Sequence, residues 1–258
     1  MCDCFKVNLN AFYDWKSGKS TKRIQREKVL SEKIKTIWKD ISYTYRSPRV
    51  WEELQKAEGK VSRSLIARVM RKYGFRSVHK KKFKVTTDSR DSYPVSENVL
   101  NRNFTTERVS QKWVSDLTYI LTKEEWPYLT AIINLFDRKV VNWSFSSAMT
   151  AQETVIPAWR MAYRNRPIQK DLLFHSNIGV QCACKAFRDL LKSNLITQSM
   201  SKKGNCWDNT IAESFFKTLE VERVYQMTYS SRNEAKIDLF RYIEGWHNAR
   251  RIHSANKN

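Results

Sequence analysis

Three strand-like runs follow one another with little between them, and they constrain the fold more than any other feature of the chain. Residues 113–120 alternate loosely between apolar and polar positions. Residues 128–136 form a nearly continuous apolar run, and residues 140–145 follow a turn at Asp137, Arg138 and Lys139. Connections this short join antiparallel neighbours, so the three runs predict a meander. Beyond it, Thr154, Val155, Ala158, Trp159, Ala162 and Tyr163 suggest a helix, and residues 172–175 read as a short strand. Residues 183–194 and 209–222 read as two further helices. The order βββαβαα predicts an α/β domain, a mixed sheet covered by helices, and no internal repeat interrupts it.

The chain ahead of the meander is of another kind. Its 258 residues hold 47 Lys and Arg against 26 Asp and Glu, a net charge of +21, more than solubility alone requires. The larger share of that excess lies in the first hundred residues, and a polyanionic partner is the first expectation. At 41% hydrophobic residues the chain is globular, which excludes disorder throughout. No run approaches the roughly 18 apolar residues of a membrane span, and the N-terminus does not read as a signal peptide, so no membrane partner is expected. The five cysteines (Cys2, Cys4, Cys182, Cys184, Cys206) lack disulfide or zinc spacing and read as free thiols in a reducing compartment.

Residues 22–41 place Ile24, Val29, Ile34, Ile37 and Ile41 among many charges, as in an amphipathic helix. Ser47 and Pro48 can start a second helix, Gly59 breaks it, and Ser62 caps a third that Gly74 stops. Two short helices around a glycine turn, the second bearing Arg63, Arg68, Arg71 and Lys72, look like a helix-turn-helix. Basic residues on an exposed helix are also ordinary solvated surface. Lys80, Lys81 and Lys82 follow, then a polar stretch with Pro94 that reads as a linker able to lie along phosphates. The expected organisation is an N-terminal helical segment (1–43), a helix-turn-helix-like region (44–78), a linker (79–108) and a catalytic-sized domain (109–258).

Two acids stand out by placement. Asp116 lies within the first strand of the meander. Glu213 lies on a helix whose stripe Ile211, Phe215 and Leu219 leaves Glu213, Lys217 and Glu220 on another face. A sheet carboxylate and a helix carboxylate suit two-metal phosphoryl transfer, where hard oxygens hold two Mg²⁺ ions about 3.5–4 Å apart. The plainer alternative is a strand-end acid and a Glu213–Lys217 pair at i+4.

The motifs widen the reading. Residues 113–120, 134–141, 199–209, 212–219 and 250–254, with 45–48 and 61–64 nearer the N-terminus, resemble the OrfB part of insertion-sequence transposases of the D-D-E kind. The resemblance spans almost the whole chain. It implies a ribonuclease-H-like integrase catalytic core preceded by a small all-α helix-turn-helix-like region. It further implies cutting at element ends and joining of the 3′-hydroxyl to DNA, with Mg²⁺ or Mn²⁺ as cofactor. Double-stranded DNA and a homo-multimer are the implied partners, with an upstream OrfA-type chain or fusion, in the bacterial cytoplasm at the nucleoid. The resemblance makes Asp116 the first catalytic and metal-holding acid, bridging both ions, and Glu213 the last. The second belongs to a His-Ser-Asp-x-Gly-x-Gln-Tyr pattern, which here reads His-Ser-Asn-Ile-Gly-Val-Gln-Cys over residues 175–182. Residue 177 is thus Asn177, 35 residues before Glu213 as in the family signature, with Ile178 and Cys182 as further departures.

An amide oxygen can ligate Mg²⁺, but the site loses one negative charge, so weaker metal occupation is expected. Asp171 is too far along the strand, Asp137 sits in a turn, and Asp208 reads as a cap of the Glu213 helix, so none replaces the missing acid. Decay of a genomic copy, a deliberate substitution and repurposing as a catalytically inactive DNA-binding derivative all remain open. Lys217 reads as a phosphate contact or an ion-pair partner, and His175 as a support for the second metal position or a satisfied core group. Lys202, Lys203, Asn205 and Trp207 form a basic loop suited to a terminal nucleotide, unless Trp207 is core. Arg250 and Arg251 read as phosphate contacts or solvated charge.

Overall fold

The computed structural model describes residues 8–17, 22–41, 43–58, 61–77, 95–168 and 171–253. The chain divides into two units, Met1–His79 and Lys80–Asn258. Among its described residues the first holds four helices: α1 (Leu9–Lys16), α2 (Lys22–Asp40), α3 (Ser47–Glu58) and α4 (Arg63–Lys72). Ile34, Val50, Leu54, Ile66 and Val69 are each at most 1% exposed, so α2, α3 and α4 share one small core. The expected caps are present. Ser62 Oγ accepts from the Leu65 N–H at 3.3 Å, and Gly74 takes φ +72°, a conformation that suits a residue without Cβ. Glu27, on α2, turns inward and binds Arg68 at 3.1 Å and Lys72 at 2.8 Å. Two of the four basic residues expected on a DNA-facing helix therefore also hold α4 to α2. Lys80, Lys81 and Lys82 lie outside the described residues.

The second unit contains the meander, β1 (Lys112–Tyr119), β2 (Tyr128–Asn134) and β3 (Val140–Ser146), all antiparallel. Then come α5 (Val155–Asn165), β4 (Leu173–Ser176), α6 (Val180–Ala183), α7 (Lys185–Ser193), β5 (Thr197–Met200), α8 (Thr210–Glu222) and α9 (Arg232–Phe240). Strands β4 and β5 run parallel to β1, reached by helical crossovers, and the sheet order is β3-β2-β1-β4-β5. Neighbouring residues on one strand point to opposite faces, which gives two cores. Val114, Ala131 and Ile133 pack with Phe215, Phe216 and Leu219 of α8 and Leu239 of α9. Trp113 and Ile132 pack instead with Ala158 and Trp159 of α5 and Phe187 of α7.

The structure differs from the sequence expectation in three elements. Strand β5 is a fifth strand that was not expected: Thr, Gln and Ser fill three of its four positions and give no apolar alternation. The single helix expected over 183–194 is split into α6 and α7 at Cys184. Residues 95–108, expected as the end of a linker, carry no helix or strand but are fastened to the sheet unit. Leu100 is 2% exposed and its N–H donates to Ser199 Oγ at 3.0 Å.

Candidate active site

Strand register builds the site. Ser115 pairs with Ser176 across β1 and β4, and Ser176 pairs with Met200 across β4 and β5. The next residue along each parallel line is Asp116, Asn177 and Ser201, so these three lie side by side. His175 and Ser199 pair two residues earlier, on the same face as Asn177 and Ser201. Side chains link the row. His175 Nδ1 lies 2.8 Å from Ser199 Oγ, His175 Nε2 lies 3.2 Å from Ser201 Oγ, and Ser201 Oγ donates to Asn177 Oδ1 at 3.0 Å. The Asn177 amide in turn donates to the Asp116 carboxylate, whose Oδ1 also accepts from the Leu117 N–H at 2.9 Å.

Helix α8 brings the second acid. Ala212, Phe215, Phe216 and Leu219 bury one face against the sheet, which fixes the rotation of the helix and leaves Glu213 half-buried. Asn209 is fully buried just before the helix, and its amide donates to the Ser115 carbonyl at 3.0 Å. The start of α8 is thereby pinned to the residue preceding Asp116. Two turns on from Glu213, Glu220 accepts from Thr118 Oγ1 at 3.1 Å and from the Tyr225 hydroxyl at 3.0 Å.

These neighbours shape the charge. Burial pushes the Asp116 carboxyl up to about 7; donation from Leu117 and Asn177 opposes this, and the nearby Glu213 and Glu220 add to it. Burial alone raises Glu213, so the alternative in which Lys217 neutralises it is not realised, and Lys217 stands exposed. Among the described residues no three His, Cys, Asp or Glu side chains gather in a metal-holding group.

Other expected residues fall differently. His175 is fully buried with both ring nitrogens bonded, and burial lowers it to about 4, so it is a neutral core histidine. Asp208 does not cap α8. It is 2% exposed and accepts from Asn98 Nδ2 at 2.8 Å, Arg102 Nε at 2.9 Å and the Lys202 N–H at 3.0 Å. Burial works against its charge, but the Lys202 N–H and the Arg102 guanidinium outweigh it and hold the carboxyl below its usual range. Trp207 is 66% exposed and is not core, and Lys202 and Lys203 are exposed on the same loop. Arg251 is not a surface contact: its side chain is 7% exposed and pairs with Glu222 at 2.9 Å. Arg63, Arg71 and Arg250 are exposed.

The acids weighed as replacements at 177 have other partners, Asp208 as described above. Asp171 pairs with Arg108, and Asp137 pairs with Arg166 at 2.9 Å. Cys182 and Cys184 are free thiols, and burial pushes Cys182 up to about 12, so it stays protonated at neutral pH. Sequence reasoning missed Ser201 and Asn209 as positioning groups. Both lie in the 199–209 segment it had singled out.

A mixed five-stranded sheet of this order, with helices packed on both faces, is the fold of an integrase core. Two family models described as "Integrase core domain" match residues 106–206 and 213–257, and one described as "HTH-like domain" matches residues 25–83. The chain is 34% identical over 254 residues to the insertion element IS600 31 kDa protein of Shigella sonnei, covering 98% of this chain and 93% of that one. It is 32% identical over 256 residues to the transposase InsF for insertion sequence IS3A of Escherichia coli, covering 98% and 88%. The chain belongs to the DDE transposases of insertion sequences. Among solved structures, the HTLV-2 integrase catalytic core aligns with 57% of this chain and 92% of that one, at 18% identity and a TM-score of 0.41. Among the described residues, no helix is long and apolar enough to cross a membrane.

Proposed function

We propose that this transposase cuts the ends of its element and joins the 3′-hydroxyl ends to DNA at the Asp116–Glu213 cleft, and that Asn177 impairs it. The observation that carries the reading is the orientation of the Asn177 amide, which meets Asp116 as a donor where the family pattern has a third carboxylate. Asp116 and Glu213 are hard oxygen donors that crowd each other, and they fit Mg²⁺ or Mn²⁺. As placed, residue 177 presents N–H rather than oxygen, and its oxygen is taken by Ser201. Asp116 would hold both of two ions and Glu213 one. Such ions supply polarisation of the phosphodiester and a more acidic water.

The chain's own residues do the rest. Asn209 fixes α8 against β1 and so sets the separation of the two acids. Trp207, with Lys202 and Lys203, offers a stacking face and positive charge for a terminal nucleotide, and Lys217 offers a phosphate contact. Arg63, Arg71, Arg68 and Lys72 of α4, with Lys80, Lys81, Lys82 and Arg250, bind phosphates of double-stranded DNA. Arg251 is left out because Glu222 neutralises it. The acting form is a multimer on paired DNA ends in the nucleoid, working with an OrfA-type partner.

The test is Mg²⁺- or Mn²⁺-dependent cleavage and strand joining on an oligonucleotide of the element's end, with this chain beside Asn177→Asp. Activity confined to the Asp form is the expected result. Equal activity of both forms overturns the claim that the third carboxylate is needed. Retained DNA binding with no activity in either form supports a second reading, a binding-only derivative that occupies or represses element ends, which Asn177 itself favours.

A further inference from the structure

We infer that Ser201 is a positioning residue that locks the Asn177 amide in the orientation that refuses a cation. The inference rests on the reading of Asp116, residue 177 and Glu213 as a metal-holding site. It follows from counting protons along one buried chain of hydrogen bonds.

The Leu100 N–H donates to Ser199 Oγ at 3.0 Å, and a backbone N–H has no other role open to it. Ser199 has one proton of its own, and its neighbour at 2.8 Å is His175 Nδ1. If Ser199 donates there, Nδ1 is the accepting nitrogen and the imidazole proton sits on Nε2. Nε2 then donates to Ser201 Oγ at 3.2 Å, which leaves the Ser201 proton for Asn177 Oδ1 at 3.0 Å. The Asn177 amide nitrogen is left facing Asp116 and donates to it. The Asp208 backbone carbonyl also accepts from the His175 ring, and with that bond shared the remaining protons run in one direction, from the backbone at Leu100 to the carboxylate.

The opposite direction fails at both ends. Within this row it leaves the Ser199 proton without an acceptor, and it sets the Asn177 oxygen against the ionised Asp116 carboxylate, oxygen to oxygen. His175 and Ser199 are fully buried and Ser201 is 4% exposed, so the surroundings are protein. To give its oxygen to a cation beside Asp116, the Asn177 amide must turn over and present nitrogen to Ser201. Ser201 would then accept from both Asn177 and His175, and its own hydroxyl proton would be stranded in a buried place.

An aspartate at 177 has no such conflict. Both of its oxygens accept, so Ser201 donates to one while the other faces the cation. Ser201 therefore acts against metal binding when residue 177 is Asn and supports it when residue 177 is Asp. A residue that served only to hold the fold would move both backgrounds in the same direction.

The experiment is Mn²⁺ affinity, read by electron paramagnetic resonance of the free ion, for four full-length proteins: the chain itself, Ser201→Ala, Asn177→Asp and the double variant. Removing the hydroxyl should tighten Mn²⁺ about tenfold in the Asn177 background, the scale of one stranded buried hydroxyl. In the Asp background the same change should weaken it. Weakening by Ser201→Ala in both backgrounds, or no effect in the Asn background, overturns the inference. A second measurement needs no variant: ¹⁵N NMR of His175 in the unaltered, metal-free protein should show the proton on Nε2, and a proton on Nδ1 overturns the hydrogen-bond direction. If none of the four proteins binds Mn²⁺, the metal reading itself falls, and the histidine tautomer still judges the chain of hydrogen bonds.

Discussion

Asn177 meets Asp116 across adjacent parallel strands as a hydrogen-bond donor, in the place where the family pattern sets a second anion. The amide partly offsets the burial of Asp116, and the metal-free site is calmer for it. Replacing the donor by a carboxylate removes that help and adds like charge. Asn177→Asp should therefore melt lower than the parent chain without metal, and gain more from Mn²⁺. At a concentration about one hundred times its Kd, a ligand adds roughly 2.7 kcal/mol of stability. Paired thermal melts with and without Mn²⁺ check both signs, and an equal Mn²⁺ response in the two proteins counts against the site.

Asn209 is the post that sets α8 against β1. Removing it in Asn209→Ala leaves the Ser115 carbonyl without its donor in a buried setting, which costs about 1–3 kcal/mol. Urea unfolding should show a lower midpoint with an unchanged slope. A loss within error of zero would mean that the bond does not anchor the helix.

Acid should weaken the fold through buried neutral histidines. Burial, together with the neighbouring His253 and Arg251, lowers His247 to about 3, against an ordinary 6.5. Between those values the unfolded chain binds a proton that the native protein refuses, so stability falls as pH drops from about 6.5 towards 3. The slope reaches about 1.4 kcal/mol per pH unit for one such group. His175 adds to this between 6.5 and about 4. Asp116 acts in the other direction, because its raised carboxyl keeps a proton in the native state from its ordinary 3.8 up to about 7. Subtracting the profile of His247→Gln from that of the parent isolates one histidine. A flat difference between pH 6.5 and 3 would contradict its buried, neutral state.

Trp207 should be separable from stability. With the side chain 66% exposed, Trp207→Ala should leave the melting temperature nearly unchanged. Binding to an oligonucleotide with an unpaired end should weaken by about 1–3 kcal/mol, the worth of one stacked base. Fluorescence anisotropy reads the affinity, and an unaltered value removes the residue from the DNA contact.

Arg250 and Arg251 are neighbours with opposite fates. Arg251→Ala removes the guanidinium from the Glu222 carboxylate, which keeps the Tyr242 hydroxyl at 2.7 Å, and should cost about 1–3 kcal/mol of stability, whereas Arg250→Ala should cost almost none. Only Arg250 should reduce the salt dependence of DNA binding. Chemical unfolding and a salt titration of the two variants decide the matter.

What was legible in the sequence follows from how each element declares itself. The meander showed through its continuous apolar runs, and α8 through the spacing of Ile211, Phe215 and Leu219. Asp116 and Glu213 stood out because they interrupt those patterns. Strand β5 was silent because its burial is shared among Ser199, Met200 and the edge of the sheet, and a strand of Thr, Gln, Ser and Met has no period to read. With β5 unseen, the Ser201–Asn177 contact could not be foreseen, since it depends on register between strands 24 residues apart. Arg251 looked like surface for a related reason: its partner Glu222 lies 29 residues away, and nothing local marks an arginine as buried.

The carboxylate of Asp208 joins two stretches of chain that the sequence keeps more than a hundred residues apart. It grips Asn98 and Arg102 before the sheet begins and the backbone of Lys202 in the loop before α8. It therefore works as a strut: tension on the chain ahead of β1 is carried straight to the turn that displays Trp207, bypassing the five strands between them.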